Sequence, residues 1–258
     1  MASKRFKYIF GPVYSWRLGI SLGVDPLSQD AKTCNFSCSY CQLGRTESLC
    51  QRRKVFVKSS DIIAEIKAMP PRKLDYITFA GKGEPTLAKN LGDLIRSVKR
   101  IHKHKIAVIT NGALLGRKDV RDDLRAADFV LVKLDAPCQK NFIKINHPGR
   151  VQLTQIIRGI KAFRRVYKGK LGLQIMFVSI NKGQAQALAS LAGDMGADEI
   201  QVNTPLRKSP IRPLPPKEMH EIKAAFKGFR VKMVYDYEHK DIKPIDHDSM
   251  VQRHGVSG

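Results

Sequence analysis

The chain lacks any apolar run of about eighteen residues, the length a membrane-spanning helix requires. Its opening, MASKRFKYIFGPVYSW, is basic but carries no apolar stretch of the kind a secretory signal needs. The two absences predict a cytosolic protein with no membrane partner. Cysteine is sparse, with five in 258 residues and none before Cys34. A disulfide framework is therefore excluded, and in a reducing compartment clustered thiols point to metal or catalysis. Acidic residues are scarce as well: 23 Asp and Glu stand against 46 Lys and Arg, a formal charge of +23. Such a field attracts phosphates, although Lys-rich solvated faces produce the same number. No internal repeat and no low-complexity segment interrupts the chain.

What is present is an alternation of short apolar runs and amphipathic stretches. Strands are predicted at Gly19–Val24, Tyr76–Ala80, Ile106–Thr110, Phe129–Leu134, Leu173–Ile180, Glu199–Asn203 and Arg230–Tyr235. Helices are predicted after Ser59 or Ser60 as N-cap, then at Leu87–His104, Lys118–Ala127, Val151–Tyr167, Gln184–Met195 and Glu218–Phe226. Repeated βα units predict an α/β fold with parallel strands, because each helix must return the chain to the same edge. Six units suit a partial (β/α)6 TIM-like barrel, left open. A flat doubly wound sheet has the same periodicity. Residues 1–237 read as one core domain. Residues 238–258 read as a polar C-terminal tail or the start of a further piece.

The segment Cys34-Asn-Phe-Ser-Cys38-Ser-Tyr40-Cys41 puts three thiols within eight residues. One short loop can then wrap three corners of a cubane cluster. A structural cluster normally takes four protein ligands, and the missing fourth leaves one iron open to a ligand. Tyr40 can shield the cluster from water. The alternative is a zinc site completed by Cys50 or a histidine, although structural zinc usually shows paired C-x2-C knuckles.

The C-x3-C-x2-C spacing with an aromatic before the last cysteine resembles the motif of the radical S-adenosylmethionine (SAM) superfamily. The resemblance implies that Cys34, Cys38 and Cys41 hold a [4Fe–4S] cluster. Its open iron would bind SAM, and one electron would cleave SAM to methionine and a 5′-deoxyadenosyl radical. It also implies an electron donor such as flavodoxin or ferredoxin. Ala80-Gly81-Lys82-Gly83-Glu84-Pro85 is similar to the family's Gly-Gly-Glu motif, with Lys82 where a glycine often stands. Gly83 would let the backbone approach the ligand, and the Glu84 carboxylate suits an ammonium. Thr110-Asn111-Gly112 and Lys133-Leu134-Asp135 fall at strand ends, where the family contacts SAM, and Asn203–Arg207 could add polar contacts. The implied cofactor residues are Tyr40, Gly83, Glu84, Asn111 and Asp135. No catalytic acid or base stands out.

Gly11-Pro-Val-Tyr-Ser15-Trp-Arg17-Leu-Gly19-Ile-Ser21-Leu-Gly23, with Gln42-Leu-Gly-Arg-Thr46, resembles a subgroup near the enzyme that forms 4-demethylwyosine in tRNA. That enzyme has a second cluster with upstream cysteines, which this sequence lacks, so one cluster is expected. The resemblance implies reaction class and leaves three substrates open: tRNA or another RNA, a small molecule, or a protein as for glycyl-radical activases. A non-catalytic metal-bearing RNA-binding protein is a further alternative. If RNA is the partner, the basic stretches Lys4–Lys7, Arg52–Lys58, Lys99–Lys105, Arg164–Lys170 and Arg207–Arg212 should converge on the barrel mouth. Arg52, Arg53 and Lys54 are then the leading candidates. Arg158, Lys161, Arg165 and Lys168 should face outward.

Overall fold

A computed structural model describes residues 6–238, 240–246 and 248–250. Eight strands form one sheet in the order of the sequence. They are β1 (Ile9–Ser15), β2 (Gly19–Val24), β3 (Tyr76–Phe79), β4 (Lys105–Thr110), β5 (Phe129–Lys133), β6 (Lys170–Met176), β7 (Glu199–Asn203) and β8 (Val231–Met233). β1 runs antiparallel to β2, and every later pair is parallel. The helices are α1 (Ser59–Lys67), α2 (Leu91–Ile101), α3 (Lys118–Leu124), α4 (Gln139–Asn146), α5 (Leu153–Val166), α6 (Ala185–Gly193) and α7 (Pro216–Ala224).

The strand order decides between the two architectures. A doubly wound sheet reverses direction partway and carries helices on both faces. Here each crossover advances the same way, and crossovers share one hand. All helices therefore cover one face, and the other face curls into a barrel interior. Six βα units run from β2 to β8, which is the expected partial barrel.

Alternation along the strands sorts side chains to the two faces. The outer set, including Leu22, Ile77, Val108, Val130, Leu173 and Val202, is fully buried under the helices. From α5 come Leu153, Ile156, Ile160 and Phe163, the face its spacing predicts. Each such apolar side chain stabilises the fold by about 1.5–3 kcal/mol on burial. The inner face is different. A small apolar floor of Leu18, Ala107, Phe129 and Leu131 closes the amino end. Much of the rest of that face is polar, with Ser21, Thr78, Gln174, Glu199 and Gln201 buried.

Several boundaries differ from expectation. β1 is missed because Pro12 sits within it. Proline cannot donate to a ladder, and it is tolerated here on an edge strand beside a register shift. β6 begins at Lys170 and ends at Met176; the apolar run continues because Phe177 and Val178 are buried beyond the strand, Phe177 edge-on to Phe226. α1 has Lys58 at its cap, and Ser59 instead accepts from Asn90 Nδ2 at 2.9 Å. The stretch from Leu87 to His104 opens as a 3-10 turn, Pro85–Leu87, before α2. α4 was not foreseen, since only Phe142 and Ile145 mark its apolar face. Part of the polar tail docks on β1, where Ile245 N donates to Gly11 O at 2.6 Å. Residues 251–258 of that tail lie outside the described residues. No described helix is long and apolar enough to cross a membrane.

Candidate active site

The cysteine triplet lies in the long connection between β2 and α1, at the carboxyl ends of the strands. Backbone bonds seat this loop on two neighbours. Thr33 N donates to Lys82 O at 2.9 Å and Glu84 N to Thr33 O at 3.1 Å, so residue 33 pairs with Gly83. Gly83 is needed for this crossing. A Cβ there would stand 1.6 Å from the Thr33 carbonyl oxygen. On the other side Ser39 N donates to Ile145 O at 2.8 Å, at the end of α4.

Two polar nodes flank the thiols. The first is built on Glu84, which is fully enclosed. Its Oε1 accepts from Thr86 N (3.1 Å), Thr86 Oγ1 (2.6 Å) and Thr110 Oγ1 (2.6 Å), and its Oε2 from Asn111 N (2.7 Å). Among the described residues, no cation pairs with it. Burial raises its pKa, and those four donors partly offset the rise. Asn111 in turn places its Nδ2 3.8 Å from Cys34 Sγ and 2.5 Å from Asn35 Oδ1.

The second node is built on Asp135. Its Oδ2 accepts from the Tyr40 hydroxyl and, at 2.7 Å, from Asn146 Nδ2; its Oδ1 accepts from Met176 N at 2.9 Å. Lys133 Nζ lies 3.7 Å from Asp135 Oδ1 and 4.8 Å from the Tyr40 ring centroid. Asn146 Nδ2 also reaches Cys38 Sγ at 3.4 Å. Asn181 holds the Asp135 carbonyl at 2.7 Å. Burial, then the charge of Asp135, holds the Cys38 thiol above its ordinary pKa. Burial, then Glu84, pushes Cys34 up to about 12. Thiols so placed bind metal by yielding their protons to it.

The expected residues Cys34, Cys38, Cys41, Tyr40, Gly83, Glu84, Asn111 and Asp135 are thus all at one end of the barrel. Asn146, Asn181 and Asn35 were not anticipated. Asn146 closes the unforeseen α4, and no local pattern marks it. Lys82 turns its ammonium to the Asp30 carbonyl at 2.6 Å.

The donor set fits a cubane better than one ion. Among the described residues, no three His, Cys, Asp or Glu side chains are placed to hold a metal ion. The thiolates of a cubane each take a different iron, and so stand wider apart than ligands of a single zinc. Asn35 Nδ2 and Ser39 Oγ are buried beside the thiols without a partner among the described residues, and cluster sulfides would accept from them. Cys50 N donates to Cys34 O at 2.8 Å, but its thiol turns to Arg52 O at 3.5 Å. Cys138 is exposed. Neither completes the triplet.

Arg53 is a correction. It is not at the mouth but buried, with Asp119 at 2.7 Å, Asp123 at 2.5 Å and the carbonyls of Thr86 and Ala88 at 2.8 and 3.0 Å. It clamps the exit of the cysteine loop to α3. The basic stretches converge only in part: Arg207 reaches Gln42 beside the cysteine loop at 3.4 Å, and two others do not. Lys99–Lys105 and Arg164–Lys170 lie at the amino ends of the strands, where Lys99, Arg164 and Lys170 pair with Asp128, Asp198 and Glu199. Arg52, Lys54 and Lys58 are exposed near the cysteine loop. Lys4 and Arg5 lie outside the described residues.

The family model of the radical SAM superfamily matches residues 30–191. A UPF0026 protein of Synechocystis sp. is 38% identical over 209 residues, covering 80% of this chain and 78% of its own. A protein of Brachyspira hyodysenteriae named GTPase Obg is 35% identical over 231 residues; these cover 86% of this chain but 34% of that much longer relative. Among solved structures, SuiB of Streptococcus suis bound to S-adenosylmethionine aligns with TM-score 0.63 and 15% identity, over 79% of this chain and 48% of its own, a likeness of fold. Motif, fold and family match agree: the chain belongs to the radical SAM superfamily, whose enzymes use a [4Fe–4S] cluster and S-adenosylmethionine.

Proposed function

We propose that Cys34, Cys38 and Cys41 hold the cluster, and that the nodes on Glu84 and Asp135 position SAM for reductive cleavage against a substrate in the open barrel. The observation that carries this is Glu84. A buried carboxylate held by neutral donors alone suits a cationic ligand, and the amino group of SAM is one. Asn111 spans Glu84 and Cys34, so cofactor site and cluster site share one support. Asn146 links Asp135 and Cys38 in the same way. Tyr40 covers the cluster side and fixes Asp135. When bound, cluster and SAM supply the electron transfer and the hydrogen-abstracting chemistry. The protein's part is position and exclusion of water.

The test is anaerobic reconstitution followed by reduction with SAM present. Wild-type protein should hold about four irons and release 5′-deoxyadenosine. Cys34→Ala, Cys38→Ala and Cys41→Ala should each abolish both, while Cys50→Ala and Cys138→Ala should keep them. Loss of iron in Cys50→Ala alone would overturn the three-thiolate site.

A second reading, an RNA partner such as tRNA, is favoured by exposed Arg52, Lys54 and Lys58 beside the cysteine loop. Filter binding at several salt concentrations checks it: log affinity should fall steeply with log salt, and reversal of Arg52 and Lys54 should flatten the slope.

A further inference from the structure

Arg17 belongs to the opening motif, yet the cofactor site has no use for it. It sits in the turn between β1 and β2, and that turn folds into the barrel. Leu18 packs on the floor of Ala107, Phe129 and Leu131, and Lys232 Nζ on β8 donates to Arg17 O at 3.0 Å. From that floor the guanidinium stands 4.6 Å from the Trp16 ring centroid and reaches β6. With its amide oxygen turned inward, Gln174 accepts from Arg17 Nη2 at 2.8 Å and from Nε.

Gln174 is the centre of a row. It pairs in register with Lys133 on β5 and with Gln201 on β7, so three polar side chains point inward at one level. Gln201 is fully buried, donates to Glu199 Oε1 at 2.8 Å, and leaves its own Oε1 without a partner among the described residues. Above the row, in the loop after β7, Arg207 touches Gln42 at 3.4 Å.

Neither arginine has a carboxylate at ion-pair distance among the described residues. Arg17 is largely enclosed by protein. Burial, then the like charge of Arg207, disfavours its charged form. An arginine does not shed its proton in response. The unfavourable field therefore persists until an anion relieves it, and a guanidinium fork matches phosphate or carboxylate in two bonds.

We infer that Arg17 and Arg207, beside the Gln174 amide, bind an oxyanion group of a small-molecule substrate inside the barrel. The oxyanion is a phosphate or a carboxylate. The inference rests on the reading that SAM occupies the carboxyl end, and it names the chemical class of the second ligand.

The experiment is calorimetric titration of cluster-reconstituted protein with inorganic pyrophosphate, with citrate and with SAM. Arg17→Gln and Arg207→Gln should each weaken the preferred oxyanion about tenfold or more. Arg158→Gln, exposed on the outer face of α5, should leave it within about twofold, and all three should bind SAM within about twofold of wild type. Preference for pyrophosphate identifies a phosphate substrate, and preference for citrate a carboxylate. Arg207 is exposed in a loop, so its variant folds even if Arg17→Gln does not. The proposal is overturned if wild type binds neither probe, if both arginine variants bind as wild type, or if they lose SAM in step with the oxyanion. It is also overturned if tRNA alone binds through Arg17. Protein that binds pyrophosphate through Arg17 yet cleaves no SAM supports the oxyanion site while the cofactor reading fails.

Discussion

Two glutamates are buried at opposite ends of one barrel, and their partners differ in kind. Glu199 opens β7 at the amino end. It has Lys170 Nζ at 2.7 Å, Arg230 Nε at 3.7 Å and Lys232 Nζ at 3.8 Å. Glu84 sits at the carboxyl end with hydroxyl and amide donors alone. Both are enclosed, so burial does not separate them; compensation does. The amino end balances its buried charge within the protein. Among the described residues, the carboxyl end leaves the Glu84 carboxylate without a cation, and the barrel above the floor leaves two guanidiniums without an anion. Charges kept uncompensated are costly, and a ligand of opposite sign is what relieves them.

The sharpest break of this comparison is the paired removal of the two carboxylates. Glu84→Ala and Glu199→Ala should each lower unfolding stability by about 2–4 kcal/mol, since each leaves buried donors or cations unpaired. Chemical denaturation reads that. SAM titration should then separate them: Glu84→Ala loses SAM affinity about tenfold or more, and Glu199→Ala retains it. Equal loss of SAM in both would erase the distinction between the ends.

Next in size is Arg53→Ala. It strands Asp123 and two carbonyls, and should cost about 2–3 kcal/mol, with iron content kept once the protein is folded. Asn146→Ala should cost about 1–2 kcal/mol. It should weaken SAM binding, because Asp135 loses one of the donors that aim it.

A pH series sharpens the charge argument. Burial raises the Glu84 pKa above 4.5 in the folded state. The folded protein then binds this proton more tightly than the unfolded chain, so stability falls as pH rises from about 4.5 through the raised value. Subtracting Glu84→Gln from wild type should isolate that decline. A difference that rises with pH instead would show Glu84 to be stabilised as a carboxylate in the ligand-free protein. The smallest effect is on the outer face of α5 and just beyond its end, where Arg158, Arg165 and Lys168 are exposed. Replacing each by Gln should change stability by less than about 0.5 kcal/mol and leave iron and SAM binding as they were.

Much of the fold was legible from periodicity. The outer faces of β2 to β7 and the buried stripe of α5 follow their spacing, because helix packing demands a continuous apolar surface. β1 was hidden by Pro12, and α4 by a stripe of two apolar residues. The clamp on Arg53 was misread. Its neighbours Arg52 and Lys54 are exposed, and sequence adjacency does not reveal which of three cations in a row turns inward to Asp119 and Asp123.

The amino-acid sequence by itself determined the cysteine loop, the open count of three thiolates, and the alternation of βα units. These are local facts, set by spacings of a few residues. Tertiary structure alone decided which charges are compensated. The partners involved lie far apart in the chain: Thr110 on Glu84, Asn146 on Cys38, Gln174 on Arg17, Lys170 on Glu199. Charge pairing depends on distances of a few ångströms and on the exclusion of water, and the closing of the barrel sets both.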